Sequence, residues 1–108
     1  MVDHPSSDWI VDSGAAEHVA RDRVGFVEYH QIPSGSKVLY KRNGDNVDVL
    51  GIGTYKLGLR GGRALLIHDV LYAPDTRRNL FSATALLKLG FRLSFKNNDV
   101  QIFMGTIF

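Results

Sequence analysis

Residues 9–15 read Trp-Ile-Val-Asp-Ser-Gly-Ala, a short apolar strand that runs directly into an acid, a hydroxyl residue and a glycine. A carboxylate at the end of a buried strand can be held against a second carboxylate, so that the two share one proton and activate a water. The glycine permits close approach of the backbone to that carboxylate. The tripeptide Asp12-Ser13-Gly14 is, however, also a common Asx turn at the end of a strand, and this simpler interpretation remains open.

The length and composition indicate one folded domain. A chain of 108 residues uses most of its apolar side chains for a single core. Hydrophobic residues make up 44% and charged residues 22%, which is close to soluble globular averages and excludes a disordered or collagen-like chain. Cysteine is absent, so disulfides and thiolate zinc sites are excluded, and a reducing cytosol is the expected compartment.

Several binding functions are not expected from the sequence. No apolar run reaches the roughly 18 to 20 residues that a membrane span needs, and residues 1–25 lack a signal-peptide core. The net charge is +2 and the basic residues are scattered, so direct nucleic-acid binding is not expected. The four histidines lack metal-ligand spacing, and residues 51–53 (Gly-Ile-Gly) lack a phosphate-loop pattern. We therefore expect no metal and no other cofactor.

The distribution of glycines predicts a mainly β fold. Eleven glycines divide the sequence into short apolar stretches rich in Val, Ile, Leu, Phe and Tyr, which is typical of short strands joined by tight turns. The predicted strands are residues 9–11, 37–41, 46–59, 63–72, 91–96 and 100–104. The turns between them are predicted at Asn43-Gly44, Gly61-Gly62 and Asn97-Asn98-Asp99.

One segment predicts a helix. Residues 79–89 (NLFSATALLKL) place four apolar side chains on one helical face, namely Leu80, Ala83, Leu86 and Leu87. Gly90 supplies a C-terminal stop, and a weaker helical turn is predicted at residues 16–23. Residues 1–7 are expected to form a flexible lead-in and residues 8–108 the domain itself.

Three stretches carry a resemblance to a known family: WIVDSGAAEH at residues 9–18, LIHDVLYAPDTRRNLFSATALLKLG at residues 66–90 and FRLSF at residues 91–95. Over about residues 8–104 the chain resembles the retropepsin-like aspartic proteases, and within them the protease domain of copia-type LTR retrotransposon Pol polyproteins. His18 and the Asp-Val-Leu-Tyr-x-Pro pattern at residues 69–74 are similar to the copia-type branch in particular. The resemblance implies a small closed β-barrel with one short C-terminal helix.

The resemblance also implies roles for individual residues. Asp12 matches the catalytic aspartate, Ser13 the residue that braces the two active-site loops, and Gly14 the close-approach glycine. Residues 41–46 lie where the tip of a substrate-covering hairpin, the flap, is expected. The residues expected to bind substrate are Ala15, Ala16, Arg42, Asn43, Gly44 and Asp45.

Three further residues are expected to support the site: Glu17, His18 and Arg78. Arg78 stands where retropepsins have an arginine that pairs with an acid near the active site, and Glu17 is the candidate acid. The pair Arg77-Arg78 is accordingly interpreted as a surface turn with one inward salt bridge. His18 has two interpretations, a residue of the site or a hydrogen-bonded structural group.

The resemblance implies an aspartic endopeptidase that processes the Gag-Pol precursor, in the cytoplasm within a virus-like particle. A single Asp12 per chain requires a homodimer acting on a polyprotein peptide, because the second carboxylate has to come from another chain. The sequence departs from the viral pattern, since only 11 residues precede Asp12 and residues 75–77 (Asp-Thr-Arg) replace an apolar-apolar-Gly. These departures leave a second hypothesis open, a catalytically inactive retropepsin-like β-barrel module that serves protein binding or assembly.

Overall fold

The computed structural model describes residues 2–3, 9–40, 44–58, 62–96 and 99–103, and the side chains of residues 9–40, 44–58 and 62–94. Within these ranges the chain is mainly β, which confirms the predicted class. The strands are β1 (Val2–Asp3), β2 (Trp9–Asp12), β3 (His18–Ala20), β4 (Phe26–Gln31), β5 (Val38–Tyr40), β6 (Asn46–Asp48), β7 (Gly51–Gly58), β8 (Ala64–Tyr72), β9 (Asn79–Ser82), β10 (Arg92–Lys96) and β11 (Asp99–Phe103). The helices are a 3-10 helix at Arg23–Gly25 and α1 at Ala83–Lys88.

The largest sheet contains six strands in the order β2-β9-β3-β8-β7-β4. β2 is parallel to β9 and β3 is parallel to β8, whereas the remaining neighbours are antiparallel. Side chains from this sheet and from α1 form the main core, which consists of Trp9, Ala20, Phe26, Tyr55, Leu57, Ile67, Val70, Phe81 and Leu86. Burial of these apolar side chains is the main force that holds the sheet and the helix together.

The six-stranded sheet is not closed by hydrogen bonds within the described residues, so the predicted closed barrel is not observed. Its edge strands are β2 and β4, and they do not pair with each other. Side chains from the two edge strands meet in the core instead. Trp9 on β2 stacks on Phe81 with 4.2 Å between ring centroids and contacts Tyr55 edge-on with 5.2 Å between centroids. Phe26 on β4 contacts the same tyrosine. The two edge strands are thus linked through aromatic rings and not through a β ladder.

Two smaller sheets complete the described structure. β5 and β6 form a two-stranded hairpin, and β1, β11 and β10 form a three-stranded sheet in that order. A second apolar cluster of Val19, Val47, Ala73, Leu39 and Leu80 packs the hairpin against the larger sheet. The predicted lead-in, residues 1–7, contains β1, whose Val2 pairs with Phe103.

The predicted helix starts later than expected. Residues 79–82 form β9 rather than a first helical turn, because they pair in parallel with β2 and place the fully buried Phe81 in the core. Ser82 then caps α1 with extended backbone angles, and the helix ends at Lys88. Gly90 follows with φ of +92°, which confirms the predicted stop. No helix in the described ranges is long and apolar enough to span a membrane.

Of the other predicted strands and turns, some are observed and others are not. The helical turn predicted at residues 16–23 is wrong, because His18–Ala20 is the buried strand β3. β3 and β4 were not predicted. The three residues of β3 are all buried, so this strand lacks the alternation of apolar and polar residues that identifies a strand, and β4 is largely exposed and polar. The long strand predicted at residues 46–59 is interrupted between β6 and β7. Gly44 and Gly62 have φ of +86° and +81°, as hairpin turns at these positions require.

Gly53 in β7 generates the first prediction, because a Cβ at this position would overlap the backbone oxygen of Glu28. Backbone on a paired strand cannot move aside without breaking the ladder, so Gly53→Ala should lower the free energy of unfolding by about 1 to 3 kcal/mol. Gly58 lies in the same strand with nothing within 4 Å of its added Cβ and serves as the control. Gly58→Ala should change stability by less than about 1 kcal/mol in urea denaturation. Equal losses in the two variants would contradict the packing seen at Gly53.

Candidate active site

Asp12 is the last residue of β2 and its carboxylate is oriented by the loop that follows. The Gly14 N–H donates to Asp12 Oδ1 at 2.8 Å, and the Ala15 N–H donates to the Asp12 carbonyl oxygen at 3.3 Å. This is the geometry of an Asx turn, the simpler interpretation of the tripeptide. The same geometry suits a catalytic carboxylate, because a backbone N–H holds one oxygen in place while the side chain stays partly exposed.

Ser82 holds the loop that follows Asp12 through a side-chain hydrogen bond. Its side chain is fully buried, and its Oγ donates to the Ala15 carbonyl oxygen at 2.7 Å. The same Oγ accepts from the Ala85 N–H at 3.0 Å, which caps α1. Ser82 was not predicted to be part of the site, although a serine immediately before an apolar helical run is a recognised N-cap signal. One hydroxyl therefore joins the Asp12 loop to the start of the helix.

His18 also contacts Ser82, through the serine backbone. It is 3% exposed, its Nδ1 accepts from the Ser82 N–H at 3.0 Å, and its ring meets the edge of Phe81. An accepting Nδ1 carries no proton, so the ring is the neutral tautomer protonated at Nε2. Burial lowers the pKa of His18 below its usual value, and the nearby charge of Asp69 opposes this effect only in part. These contacts are those of a hydrogen-bonded structural group.

Asp12 lines an open cleft of about 780 Å³, here called the Asp12 cleft. Three segments form its walls: the loop after β2, the strand β5 with the preceding Lys37, and the turn before β9. Of the residues expected to bind substrate, Ala15 and Ala16 line the cleft, whereas Gly44 and Asp45 do not. Residues 42 and 43, also expected to bind substrate, lie outside the described residues.

Neither Ser13 nor a metal-binding group of side chains is found in the cleft among the described residues. Ser13 follows Asp12 and is exposed, and it is not among the residues that line the cleft. Among the described residues, no group of three or more histidine, aspartate and glutamate side chains lies close enough together to hold a metal ion.

The predicted pair of Glu17 with Arg78 is not formed. Glu17 Oε1 lies 3.3 Å from the Nζ of Lys37, so its ion pair is with the base of the hairpin. Its other oxygen, Oε2, is buried and has no hydrogen-bond partner among the described residues. Arg78 is exposed and lines the Asp12 cleft, so the inward salt bridge predicted for the Arg77-Arg78 turn is wrong.

Asn79 takes the inward position instead of Arg78. It is 2% exposed, and its Oδ1 accepts from the Arg21 N–H at 2.8 Å. The Arg21 side chain in turn donates from Nη1 to the Arg77 carbonyl oxygen at 2.9 Å. Arg78 lies in the bend before β9 and is exposed, whereas Asn79 is the first residue of β9 and pairs with Trp9 of β2.

Neighbouring positions 78 and 79 give the second prediction. Asn79→Ala should cost about 1 to 3 kcal/mol of unfolding free energy, because a buried hydrogen bond to the Arg21 backbone is lost. Arg78→Ala, the matched control, should cost less than about 0.5 kcal/mol, as expected for an exposed side chain without an ion pair in the described part of the chain. Urea denaturation measures the free energy of unfolding of both variants. A larger loss of stability in Arg78→Ala than in Asn79→Ala would support the inward salt bridge and contradict the exposed position of Arg78.

His18 gives the third prediction. Because its folded pKa is lowered, the unfolded chain binds the proton more readily. This contribution to stability is therefore complete above the unfolded pKa of about 6.5 and is lost as pH falls toward the folded value. The free energy of unfolding, measured from about pH 7.5 to 5, should fall less steeply in His18→Gln than in the wild type. His30→Gln, which alters an exposed histidine, should keep the wild-type slope, and equal slopes in all three proteins would contradict the assignment.

The chain is similar to parts of longer retrotransposon proteins. It is 29% identical over 103 residues to the Retrovirus-related Pol polyprotein from transposon TNT 1-94 of Nicotiana tabacum, covering 95% of this chain and 8% of that protein. It is 34% identical over 77 residues to a putative transposon Ty5-1 protein of Saccharomyces cerevisiae, covering 71% and 48%. It is 29% identical over 104 residues to the Retrovirus-related Pol polyprotein from transposon RE1 of Arabidopsis thaliana, covering 91% and 7%. The chain thus spans less than half the length of each of these relatives.

A family model accounts for most of the described fold. The model for the Pol polyprotein, beta-barrel domain, matches residues 9–91, which include every strand from β2 to β9 as well as α1. The match also spans the three segments that form the Asp12 cleft. This chain belongs to the Pol polyprotein beta-barrel domain family.

Proposed function

We propose that this domain is the aspartic endopeptidase of a copia-type retrotransposon Pol polyprotein. The observation that carries the proposal is the placement of Asp12, which ends a core strand, is oriented by the Gly14 N–H and opens into a large cleft. A carboxylate held in this way can serve as an acid or a base if a second one faces it. The relatives named as Pol polyproteins supply the setting, a precursor that has to be divided into its parts.

The proposed enzyme is a homodimer. Each chain contributes one Asp12, and the two carboxylates share a single proton because like charges in contact cannot both stay ionised. The ionised member takes a proton from a bound water, which attacks the peptide carbonyl carbon. The protonated member donates its proton to the carbonyl oxygen, which gives a tetrahedral intermediate. Ser13 is exposed beside Asp12 and in this proposal would brace the partner loop.

The substrate in this proposal is an extended segment of the polyprotein. The hairpin of β5 and β6 stands at one wall of the cleft and is the proposed flap, since Lys37 and the β5 residues line the cleft directly. The segment would lie between this hairpin and the Asp12 loop, with its scissile bond at the carboxylate. The reaction needs no cofactor, and its proposed setting is a virus-like particle in the cytoplasm.

A second candidate function is a non-catalytic β-barrel module that serves protein binding or assembly. It is favoured by the edges of the six-stranded sheet, because β2 and β4 each lack a second partner strand among the described residues and such edges can add a strand from another protein. Self-association separates the two functions, since the enzyme requires a dimer with two adjacent Asp12 side chains. A chain that stays monomeric at high concentration in sedimentation analysis would favour the module.

Asp12 provides the fourth prediction. In a longer precursor, Asp12→Asn should reduce self-processing by at least about 100-fold, because the ionised carboxylate that activates water is lost. The fold should survive, since asparagine keeps the size of the side chain and an oxygen that accepts from the Gly14 N–H. Asp22→Asn, which removes an exposed carboxylate outside the cleft, is the matched control and should process at the wild-type rate.

Gel analysis of the precursor and its fragments over time measures the rate in each form. Processing of the Asp12→Asn precursor at the wild-type rate would overturn the protease proposal and leave the binding module as the better account. Circular dichroism of the purified domain checks that both variants keep the mainly β fold.

A further inference from the structure

We propose that Arg77 and Arg78 give the Asp12 cleft a preference for peptides that carry a Glu or Asp side chain within the bound segment. The inference rests on the proposed function, which supplies a peptide as the substrate, and it names the class of peptide. Neither arginine was assigned to substrate binding by its sequence, because both were interpreted as part of a surface turn.

The charges that line the cleft do not balance. Its charged residues are Asp12, Glu17, Lys37, Arg77 and Arg78. Lys37 and Glu17 pair with each other across 3.3 Å, which leaves one carboxylate and two guanidinium groups. Within the described part of the chain neither Arg77 nor Arg78 takes part in an ion pair. The cleft therefore has an excess of positive charge, located on the turn before β9, and a carboxylate would complement it.

The turn that presents the two arginines is held at both ends by buried polar residues. Thr76 before it is 5% exposed and Asn79 after it is 2% exposed. Arg21 ties the turn to β3, because its N–H donates to Asn79 and its Nη1 donates to the carbonyl oxygen of Arg77. A fixed backbone reduces the conformational freedom that the arginines lose when they bind a ligand. Guanidinium groups also match the planar, two-oxygen geometry of a carboxylate.

The rest of the cleft favours a peptide over a nucleic acid. Val19, Leu39 and Leu80 contribute aliphatic side chains to the lining, which suits the side chains of an extended peptide. Asp12, the one carboxylate of the cleft without an ion pair among the described residues, would repel a phosphate that lies beside it. A single peptide carboxylate can meet the arginines while the rest of the segment stays neutral. The observations thus point to an acidic residue in an otherwise apolar peptide.

Fluorescence anisotropy with the wild-type chain tests this inference at about pH 7.5. Three pools of labelled decapeptides, randomised among small and apolar residues, carry Glu, Gln or Lys at one central position. The Glu pool should bind about five- to tenfold more tightly than the Gln pool, as expected for a partly exposed, charge-assisted pair, and the Lys pool should bind least. The double variant Arg77→Gln/Arg78→Gln should lose the preference. Lys88→Gln, which removes an exposed cation on α1 outside the cleft, should keep it.

Several outcomes would overturn the inference: equal affinity for the Glu and Gln pools, no binding of any pool, a preference that survives the double substitution, or tighter binding of a single-stranded oligonucleotide. Mass spectrometry of the same samples reports whether the peptides are cut, and Asp12→Asn provides the blank. Cutting without an acidic preference would leave the endopeptidase standing and overturn the specificity. An acidic preference without cutting of any precursor or peptide would support the specificity and overturn the endopeptidase.

Discussion

The hydroxyl of Ser82 is the interaction on which the geometry of the cleft depends. Ser82 ends β9, lies in register with Asp12 across the parallel pair, and begins the helix. Its N–H, its hydroxyl proton and its hydroxyl oxygen each have a partner in a different segment, on His18, Ala15 and Ala85. A buried polar atom left without its partner costs about 1 to 3 kcal/mol, so these three segments are expected to form or separate together.

The sequence was most informative where local chemistry decides the structure. The strand ending in Asp12, the glycine turns and the helix stop at Gly90 follow from residues that act on their immediate neighbours. The roles of Ser82 and Asn79 could not be predicted with the same ease, because their partners lie 67 and 58 residues away in the sequence. The ion pair of Glu17 was assigned to the wrong partner for the same reason, since a sequence does not show which distant cation is nearest.

The differences in fold have a comparable cause. Residues 79–82 have a helical pattern of apolar residues, yet the parallel pairing of β9 with β2 outweighs that weak local preference. The closed barrel was expected from the family resemblance, whereas the edge strands β2 and β4 of the described sheet do not pair and are linked only through the rings of Trp9, Tyr55 and Phe26. A pattern of strands and turns does not show which of two distant strands will pair.

The parallel pairings also determine when the site can assemble. β2 pairs with β9 and β3 pairs with β8 across long stretches of intervening chain, and contacts of such long range are expected to close slowly. During synthesis from the N-terminus, the Asp12 loop is made before Ser82, so the hydroxyl that bonds to the Ala15 carbonyl oxygen is absent until Ser82 has left the ribosome. An incomplete chain could form the local turn at Asp12, but it would lack the hydrogen bonds that join this turn to β9 and α1.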